Sequence, residues 1–298
     1  GVTSANMAVA TAYITDISEE AERAKRFGYF HAMFGLGFII GPVLGGALGD
    51  VWIRAPFLAA AVLNAANLLI AFFLLPESRP GDAGTKFDLA NLNPFRPLGW
   101  ALTFAALLPM IGIFVLLNFV GTMYGTVWAL FGEDAFGWSG LMIGLSLGAY
   151  GVFHAGAQAF LTGPAAKRLG ERGAVIAGMG FEITALVITG FATQGWILFV
   201  LCPIYALGGI GMPALQSLIT QQVDGDNQGK LQGVLASLVS LAAVFGPLFF
   251  STVYFAIKPQ WPGAIWIIGG AVYLLAIPLL FALGKRPNVA AADQPSQS

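Results

Sequence analysis

Long apolar runs constrain this chain more than any other feature of its sequence. About 20 apolar residues cross the hydrocarbon core of a bilayer as an α-helix. The runs here are continuous rather than alternating, so helices are favoured over a closed barrel, the other structure that satisfies the backbone in lipid. The sequence predicts an all-α membrane protein with eight full spans and one partial span. The partial span covers residues 2–15, and the full spans lie at about residues 27–48, 55–75, 102–128, 141–163, 174–193, 197–219, 232–257 and 262–283.

The composition supports a membrane protein and excludes several other classes. Charged residues make up 10% of the chain, whereas a soluble domain carries roughly 25%. The net charge of −1 provides no basic surface for nucleic acid. The single cysteine, Cys202, excludes disulfide frameworks and thiolate metal sites. His31 and His154 lie far apart without a metal-binding motif, and no enzyme motif accompanies an acid within a span, so we expect neither a resident cofactor nor an enzyme.

Lysine and arginine residues indicate how the spans are oriented. If residues 16–26 lie in the cytoplasm and the spans alternate, 12 of the 14 basic residues fall on the cytoplasmic side. Arg54 and Lys258 fall on the opposite side. Because cytoplasmic loops carry the excess of these residues, we expect the C-terminus to be cytoplasmic.

A polar segment at residues 76–100 divides the chain into two parts. We interpret residues 1–75 as the C-terminal part of a first helix bundle and residues 76–100 as a cytoplasmic linker. Residues 101–284 then form a second, six-helix bundle, and residues 285–298 form a disordered cytoplasmic tail. A shift of 205 residues aligns the first part with the end of the second, including their Gly-Pro pairs. Parallel repeats of this kind form the two halves of one large class of transporters, and the offset predicts that roughly 105 residues precede Gly1.

Glu182 is the acidic residue that lies well inside a predicted span, near the middle of AVIAGMGFEITALVITGF. A charged residue at the bilayer centre costs about 2.5–3.5 kcal/mol on insertion scales and usually faces a cavity or a partner. A carboxyl group there could bind and release a proton. Alternatively, it stays protonated and only hydrogen-bonds between helices. We favour the functional interpretation.

Three further spans carry polar side chains that could contact a substrate. His154 and Gln158 lie one turn apart in a stripe of small and polar residues and share a helix face; the alternative is a packing stripe with a satisfied core histidine. Asn118, near Tyr124, either binds substrate or bonds across helices. Gln216 follows the glycine-rich run 208–213, which lacks stable helix formers and predicts a bend, either a hinge or a plain kink.

Two glycine-rich segments stand out as motifs. The segment 35–46, GLGFIIGPVLGG, combines glycines that allow close approach with a proline that bends a helix. Its motif residues are Gly37, Gly41, Pro42, Gly45 and Gly46. The loop 163–173, GPAAKRLGERG, is a short basic turn whose charges either lock a gate or simply follow the positive-inside bias. Candidates for gating loops are Arg23, Lys167 and Arg168.

Together these motifs resemble the tetracycline-efflux branch of the major facilitator transporters, which are drug–proton antiporters with twelve spans. GLGFIIGPVLGG resembles the antiporter signature of the family's fifth helix, and GPAAKRLGERG resembles a degenerate second copy of its loop motif. The stretches 129–138, 161–172 and 208–216 are similar to the same branch, so the resemblance covers essentially the whole chain.

The resemblance implies roles for individual residues. His154 and Gln158 match a histidine and a glutamine of the family's eighth helix. Glu182 stands where the ninth helix usually has aspartate, which keeps the acid and lengthens it by one methylene. Asn118 stands where the close drug pumps usually have glutamine. Asp16 matches an acid of the loop after the fourth helix, which makes it a further candidate for a gating loop.

What the resemblance implies is export of a tetracycline-like drug across the bacterial inner membrane by alternating-access antiport with protons. The drug would travel alone or as its complex with a divalent metal. Glu182 and His154 would couple protons. The expected substrate contacts are Asn118, Gln158, Tyr124 and Gln216. The alternatives are a major facilitator exporter of another drug or metabolite, and a non-transporting truncated membrane protein. The sequence leaves the oligomeric state open.

Overall fold

The computed structural model describes residues 20–74, 107–224 and 227–282, together with positions 10, 13, 14, 17 and 18. The side chains of residues 20, 21, 23–25 and 31 are outside this description. The predicted linker at 76–100, the tail at 285–298 and the candidate residue Asp16 also lie outside the described residues, as does the side chain of Arg23.

All regular secondary structure in the part of the chain that the structure describes is helical, as the continuous apolar runs predicted. Eight helical segments within it have the length and hydropathy to cross a membrane, in agreement with the predicted number of full spans. The helices are α1 (Glu20–Val51), α2 (Ala55–Leu74), α3 (Leu107–Phe136), α4 (Gly140–Phe160), α5 (Thr162–Gly190), α6 (Trp196–Gly208), α7 (Gly211–Thr220), α8 (Gln228–Ile257), α9 (Ala264–Leu274) and α10 (Ile277–Ala282).

Two of the predicted spans are interrupted by a turn. The chain turns at Gly209 and Ile210 between α6 and α7, where the glycine run predicted a bend. A second turn, at Leu275 and Ala276, separates α9 from α10 and was not predicted. Pro278 accounts for it, because proline lacks a backbone N–H and its ring crowds the carbonyl group four residues earlier.

Helix α5 begins well before the predicted start at residue 174 because the basic loop is itself largely helical. Gly170 interrupts the helix with φ of 69° and ψ of 165°. Glycine adopts this region without the steric cost that a Cβ atom would impose. The loop therefore enters the span through a kink rather than through an irregular segment.

The described residues form two units. One unit contains α1, α2 and residues 139–151, and α1 packs against α2 within it. The other contains residues 107–138 and 152–282. In this second unit α3 packs against α7, α8, α9 and α10, and α5 packs against α6, α7 and α9. Its core includes the fully buried side chains of Phe131, Phe250, Tyr254 and Trp266.

Candidate functional site

Glu182 lies on α5 in the second unit, and its side chain is partly buried. The hydroxyl group of Tyr124, on α3, donates a hydrogen bond of 2.5 Å to Oε1 of Glu182. A hydrogen bond to a charged acceptor is shorter and stronger than one between neutral groups. The structure thus gives the carboxyl group at the middle of a span a partner on a neighbouring helix, as the sequence led us to expect.

Aromatic rings surround the Tyr124 side of this pair. The ring of Tyr124 contacts those of Tyr205 and Trp266 with centroids 5.5 Å and 5.6 Å away, and Trp128 lies 5.6 Å from Trp266. The Tyr205 hydroxyl group is 2.6 Å from Oγ1 of Thr189. Rings in these offset and edge-on arrangements pack favourably. The phenol that reaches Glu182 is therefore held in a rigid apolar setting.

His154 and Gln158 share one face of α4, as their spacing predicted, and both reach the turn between α6 and α7. Nε2 of Gln158 donates a 3.0 Å hydrogen bond to the carbonyl oxygen of Gly209. A methyl group placed on Gly209 would lie 2.7 Å from Cε1 of His154, and one on Gly208 would meet Oε2 of Glu182. The turn therefore adjoins both candidate proton-coupling residues.

The other predicted substrate contacts occupy different surroundings. Nδ2 of Asn118 donates a 2.8 Å hydrogen bond to the carbonyl oxygen of Phe114 on its own helix. Gln216 is exposed on α7. In the described part of the chain, no hydrogen bond joins either residue to Glu182, and their roles in binding remain predictions.

The first unit contains the glycine motif on α1, part of which packs closely against α4. A methyl group on Gly46 would meet the carbonyl group of Gly140, and one on Gly144 would meet that of Pro42. Gly37, Gly41 and Gly45 have nothing within 4 Å of such a methyl group. Close packing therefore accounts for Gly46 among the four motif glycines.

Asp50, which the sequence analysis did not single out, fixes the beginning of α4. Its Oδ1 accepts a hydrogen bond of 2.7 Å from the Gly140 N–H, and its Oδ2 accepts one of 2.9 Å from the Leu141 N–H. The first N–H groups of a helix lack partners within the helix and attract negative charge. The sequence offered only a weak signal for this contact: Asp50 lies near the end of one predicted span, and a short loop precedes the span that contains Gly140.

The basic loop contributes different residues from those predicted to form a gate. Lys167 and Arg168 are exposed. Glu171 instead accepts a hydrogen bond from the Ser217 hydroxyl group and bonds of 2.9 Å and 3.1 Å from Nε2 of Gln221, which joins α5 to the end of α7. Arg172 donates a 2.9 Å hydrogen bond to the carbonyl oxygen of Leu280. Glu171 and Arg172 therefore make the contacts between helices, and they follow the predicted pair Lys167 and Arg168 in the sequence.

Within residues 20–74, 107–224 and 227–282, no group of three His, Cys, Asp or Glu side chains is close enough together to hold a metal ion. Cys202 is buried, and its Sγ lies 3.4 Å from the carbonyl oxygen of Leu198 on the same helix. Its thiol therefore behaves as a small apolar core group.

Similarity to known proteins extends over almost the whole chain. The family model described as Major Facilitator Superfamily matches residues 1–131 and 110–297. The class C tetracycline resistance protein of Escherichia coli is 47% identical over 280 residues, which cover 94% of this chain and 70% of that protein. The class G tetracycline resistance protein of Vibrio anguillarum is 41% identical over 287 residues, which cover 96% of this chain and 72% of that protein.

A solved structure shows the same fold at low sequence identity. It is the crystal structure of a bacterial homolog of the human lysosomal transporter Spinster, in an inward-facing and unoccupied conformation. The two chains are 17% identical and superpose with a TM-score of 0.65 over 97% of this chain and 76% of that one.

Proposed function

This chain belongs to the Major Facilitator Superfamily, and we propose that it exports tetracycline-type drugs from the cytoplasm in exchange for protons. Its relatives at 47% and 41% identity are tetracycline resistance proteins, and the chain spans 70% and 72% of their lengths. The resemblance that the sequence motifs indicated is thereby confirmed. Eight helical segments able to cross a membrane, counted over the described residues, agree with a multi-pass protein of the inner membrane. The distribution of lysine and arginine supports a cytoplasmic C-terminus.

The pair formed by Glu182 and Tyr124 carries the proposal at the level of residues. A carboxyl group within a span is expensive to keep charged, so it is retained where a proton must bind and leave. When Glu182 is ionised, the Tyr124 hydroxyl group stabilises the negative charge through its 2.5 Å hydrogen bond. When Glu182 is protonated, the site is neutral and suited to the low dielectric of the membrane. Both states of the carboxyl group are thus accommodated.

The surrounding polar residues complete the proposed cycle. His154 assists transfer of the proton or senses it, since it approaches the same turn as Glu182. The substrate is contacted by a set of polar side chains, namely Asn118, Gln158, Tyr124 and Gln216. Protons are the coupling ion in this scheme, and a divalent metal ion enters only as cargo bound to the drug.

A vesicle experiment tests the exchange directly. Inside-out vesicles are prepared from cells that express the complete reading frame containing this chain, and proton release is followed on addition of tetracycline. We expect drug-dependent release from the parent protein and its loss in Glu182→Gln, because the amide keeps the shape of the side chain and cannot carry the proton. Thr184→Val is the matched control, since the Thr184 hydroxyl group bonds only the Gly180 carbonyl of its own helix among the described contacts.

Three results would contradict the proposal in different ways. Proton release with an unrelated drug and none with tetracycline would reject the substrate. Release that survives in Glu182→Gln would reject the role of the carboxyl group. No release with any drug, at normal abundance in the membrane, would favour the alternative of a non-transporting protein.

A further inference from the structure

The turn between α6 and α7 contacts both side chains to which the proposed function assigns the proton. Gly208 ends α6 and lies against the carboxyl group of Glu182, from α5. Gly209 follows at once and lies against the imidazole ring of His154, from α4. Two successive residues of one backbone thus separate an acid and a base that come from different helices.

The space at each position is sufficient only for a hydrogen atom. A methyl group on Gly208 would overlap Oε2 of Glu182 and lie 3.2 Å from its Cδ. A methyl group on Gly209 would lie 2.7 Å from Cε1 and 2.9 Å from Nδ1 of His154. Carbon and nitrogen atoms in van der Waals contact prefer separations near 3.5–4.0 Å. Any side chain at either glycine would therefore displace the neighbouring functional group.

The backbone of the turn is also in contact with residues of both α4 and α5. Nε2 of Gln158 donates a 3.0 Å hydrogen bond to the carbonyl oxygen of Gly209. From α5, a methyl group on Gly178 would lie 2.8 Å from both the carbonyl oxygen of Gly208 and the backbone nitrogen of Gly211. A displacement of the turn would consequently change its contacts with α4 and with α5 at the same time.

The hydrogen bonds along the turn leave it easier to displace than a continuous helix. The N–H groups of Gly209 and Ile210 donate to the carbonyl groups of Tyr205 and Leu207 over 3.3 Å each. Most backbone hydrogen bonds are about 2.9–3.0 Å long, so these two are stretched. Helices bend where their backbone hydrogen bonds are interrupted or weakened.

We propose that Gly208 and Gly209 are positioning residues that mechanically link Glu182 to His154. A movement of the Glu182 side chain presses on Gly208, and the turn transmits the displacement through Gly209 to His154; the reverse path is equally open. This inference rests on the proposed function for its role in transport. The link itself is a property of the packing and is measurable without transport.

Chemical modification of the two side chains tests the link. Dicyclohexylcarbodiimide modifies carboxyl groups within membranes, and diethylpyrocarbonate modifies histidine. In a His31→Gln background His154 is the remaining histidine of the two in this sequence. The rates of modification of Glu182 and His154 are followed by peptide mass spectrometry in the complete protein. The variants are Gly208→Ala and Gly209→Ala, with Gly156→Ala and Gly180→Ala as controls, because a methyl group at either control position meets nothing within 4 Å.

The expected result is a crossed effect. Gly208→Ala should change the rate at His154, and Gly209→Ala should change the rate at Glu182, each by about twofold or more, the lower end of the coupling seen between contacting residues. His154→Ala, which leaves the backbone unaltered, should also change the rate at Glu182. The two controls should leave both rates near those of the parent protein.

The proposal is overturned if each alanine affects only the side chain it touches, or if the controls have effects of the same size.

Transport gives a second, independent check. Glu182→Asp shortens the side chain and withdraws the carboxyl group from Gly208, so Gly208→Ala should reduce proton release strongly in the parent and little in the Glu182→Asp background. Equal reductions in both backgrounds would also overturn the proposal. Absence of drug-driven proton release from the parent protein would instead contradict the proposed function, while the crossed effect on modification rates would still decide the link.

Discussion

Tyr124 donates its hydroxyl hydrogen to Oε1 of Glu182 across 2.5 Å, and this bond joins α3 to α5 within the membrane-spanning part of the second unit. The two residues are 58 positions apart in the sequence. The ring of Tyr124 packs against Tyr205 and Trp266, so the hydroxyl group has little freedom to turn away. The acid is therefore paired with a donor whose position is set by the core rather than by a flexible loop.

Replacement of this donor should impair proton exchange without removing the acid. We expect Tyr124→Phe to lower the rate of drug-dependent proton release by about tenfold, because hydrogen bonds to charged groups contribute about 1.5–3 kcal/mol. The measurement uses inside-out vesicles, with rates normalised to protein abundance. Thr184→Val should change the rate by less than about twofold, since an exposed position away from special contacts has a small effect. An unchanged rate in Tyr124→Phe would show that the bond does not serve transport.

A second prediction concerns Asp50 and the beginning of α4. Asp50→Ala removes the acceptor of the Gly140 and Leu141 N–H groups, so the detergent-solubilised protein should unfold at a temperature lower by a few degrees. Cys202 is only 1% exposed, and a fluorescent maleimide that reacts with its thiol on unfolding reports the transition. Glu133→Ala, at an exposed acid near the end of α3, is the control. Equal unfolding temperatures for the two variants would contradict a stabilising role for the carboxylate.

The third prediction distinguishes the two partners of Asp134, which are Tyr254 on α8 and Lys258 immediately after this helix. Its Oδ2 accepts hydrogen bonds from the Tyr254 hydroxyl group over 2.8 Å and from Nζ of Lys258 over 2.9 Å. Lys258→Gln should lower the free energy of unfolding by only about 0–1 kcal/mol, because the ion pair is partly exposed. Asp134→Ala should cost about 1–3 kcal/mol, because it also removes the acceptor of a buried hydroxyl group.

A double substitution checks this assignment. Tyr254→Phe should be less costly in the Asp134→Ala background than alone, since the bond it removes is already absent. Chemical denaturation in mixed micelles gives the free energies. A cost for Lys258→Gln equal to that of Asp134→Ala would instead assign the stabilisation to the ion pair.

Within the described residues, the eight full spans, the helical class and the turn near Gly209 could all be predicted from the sequence because each depends on local composition. Apolar runs fix where helices cross lipid, and consecutive glycines fix where one bends. The turn at Leu275 was missed although Pro278 signals it, because the surrounding run is uniformly apolar. Local sequence patterns were therefore sufficient to predict the helices, but they predicted only one of the two turns that interrupt the spans.

The contacts of the site were harder to foresee because they join distant parts of the chain. Tyr124 was a candidate for substrate binding, and its bond to Glu182 joins side chains of α3 and α5 that lie 58 positions apart in the sequence. The contact of Glu182 with Gly208 depends likewise on packing between helices. Asp50 was overlooked because acids at span ends look like ordinary loop charges, whereas its partner begins 90 residues later.

The last prediction separates Glu171 from the basic residues of the same loop. Lys167 and Arg168 are exposed, whereas Glu171 holds Ser217 and Gln221 of the α7 end through three hydrogen bonds. If this end of α5 must move as a unit with α7 during transport, Glu171→Ala should lower the rate of proton release several-fold. Lys167→Ala should have an effect of less than about twofold, as for other surface charges. Glu171→Gln should be intermediate, because its amide retains one acceptor oxygen for the two donors. The opposite order, with Lys167→Ala the more harmful, would mean that the positive charge of the loop controls the gate and that the contacts of Glu171 are only structural.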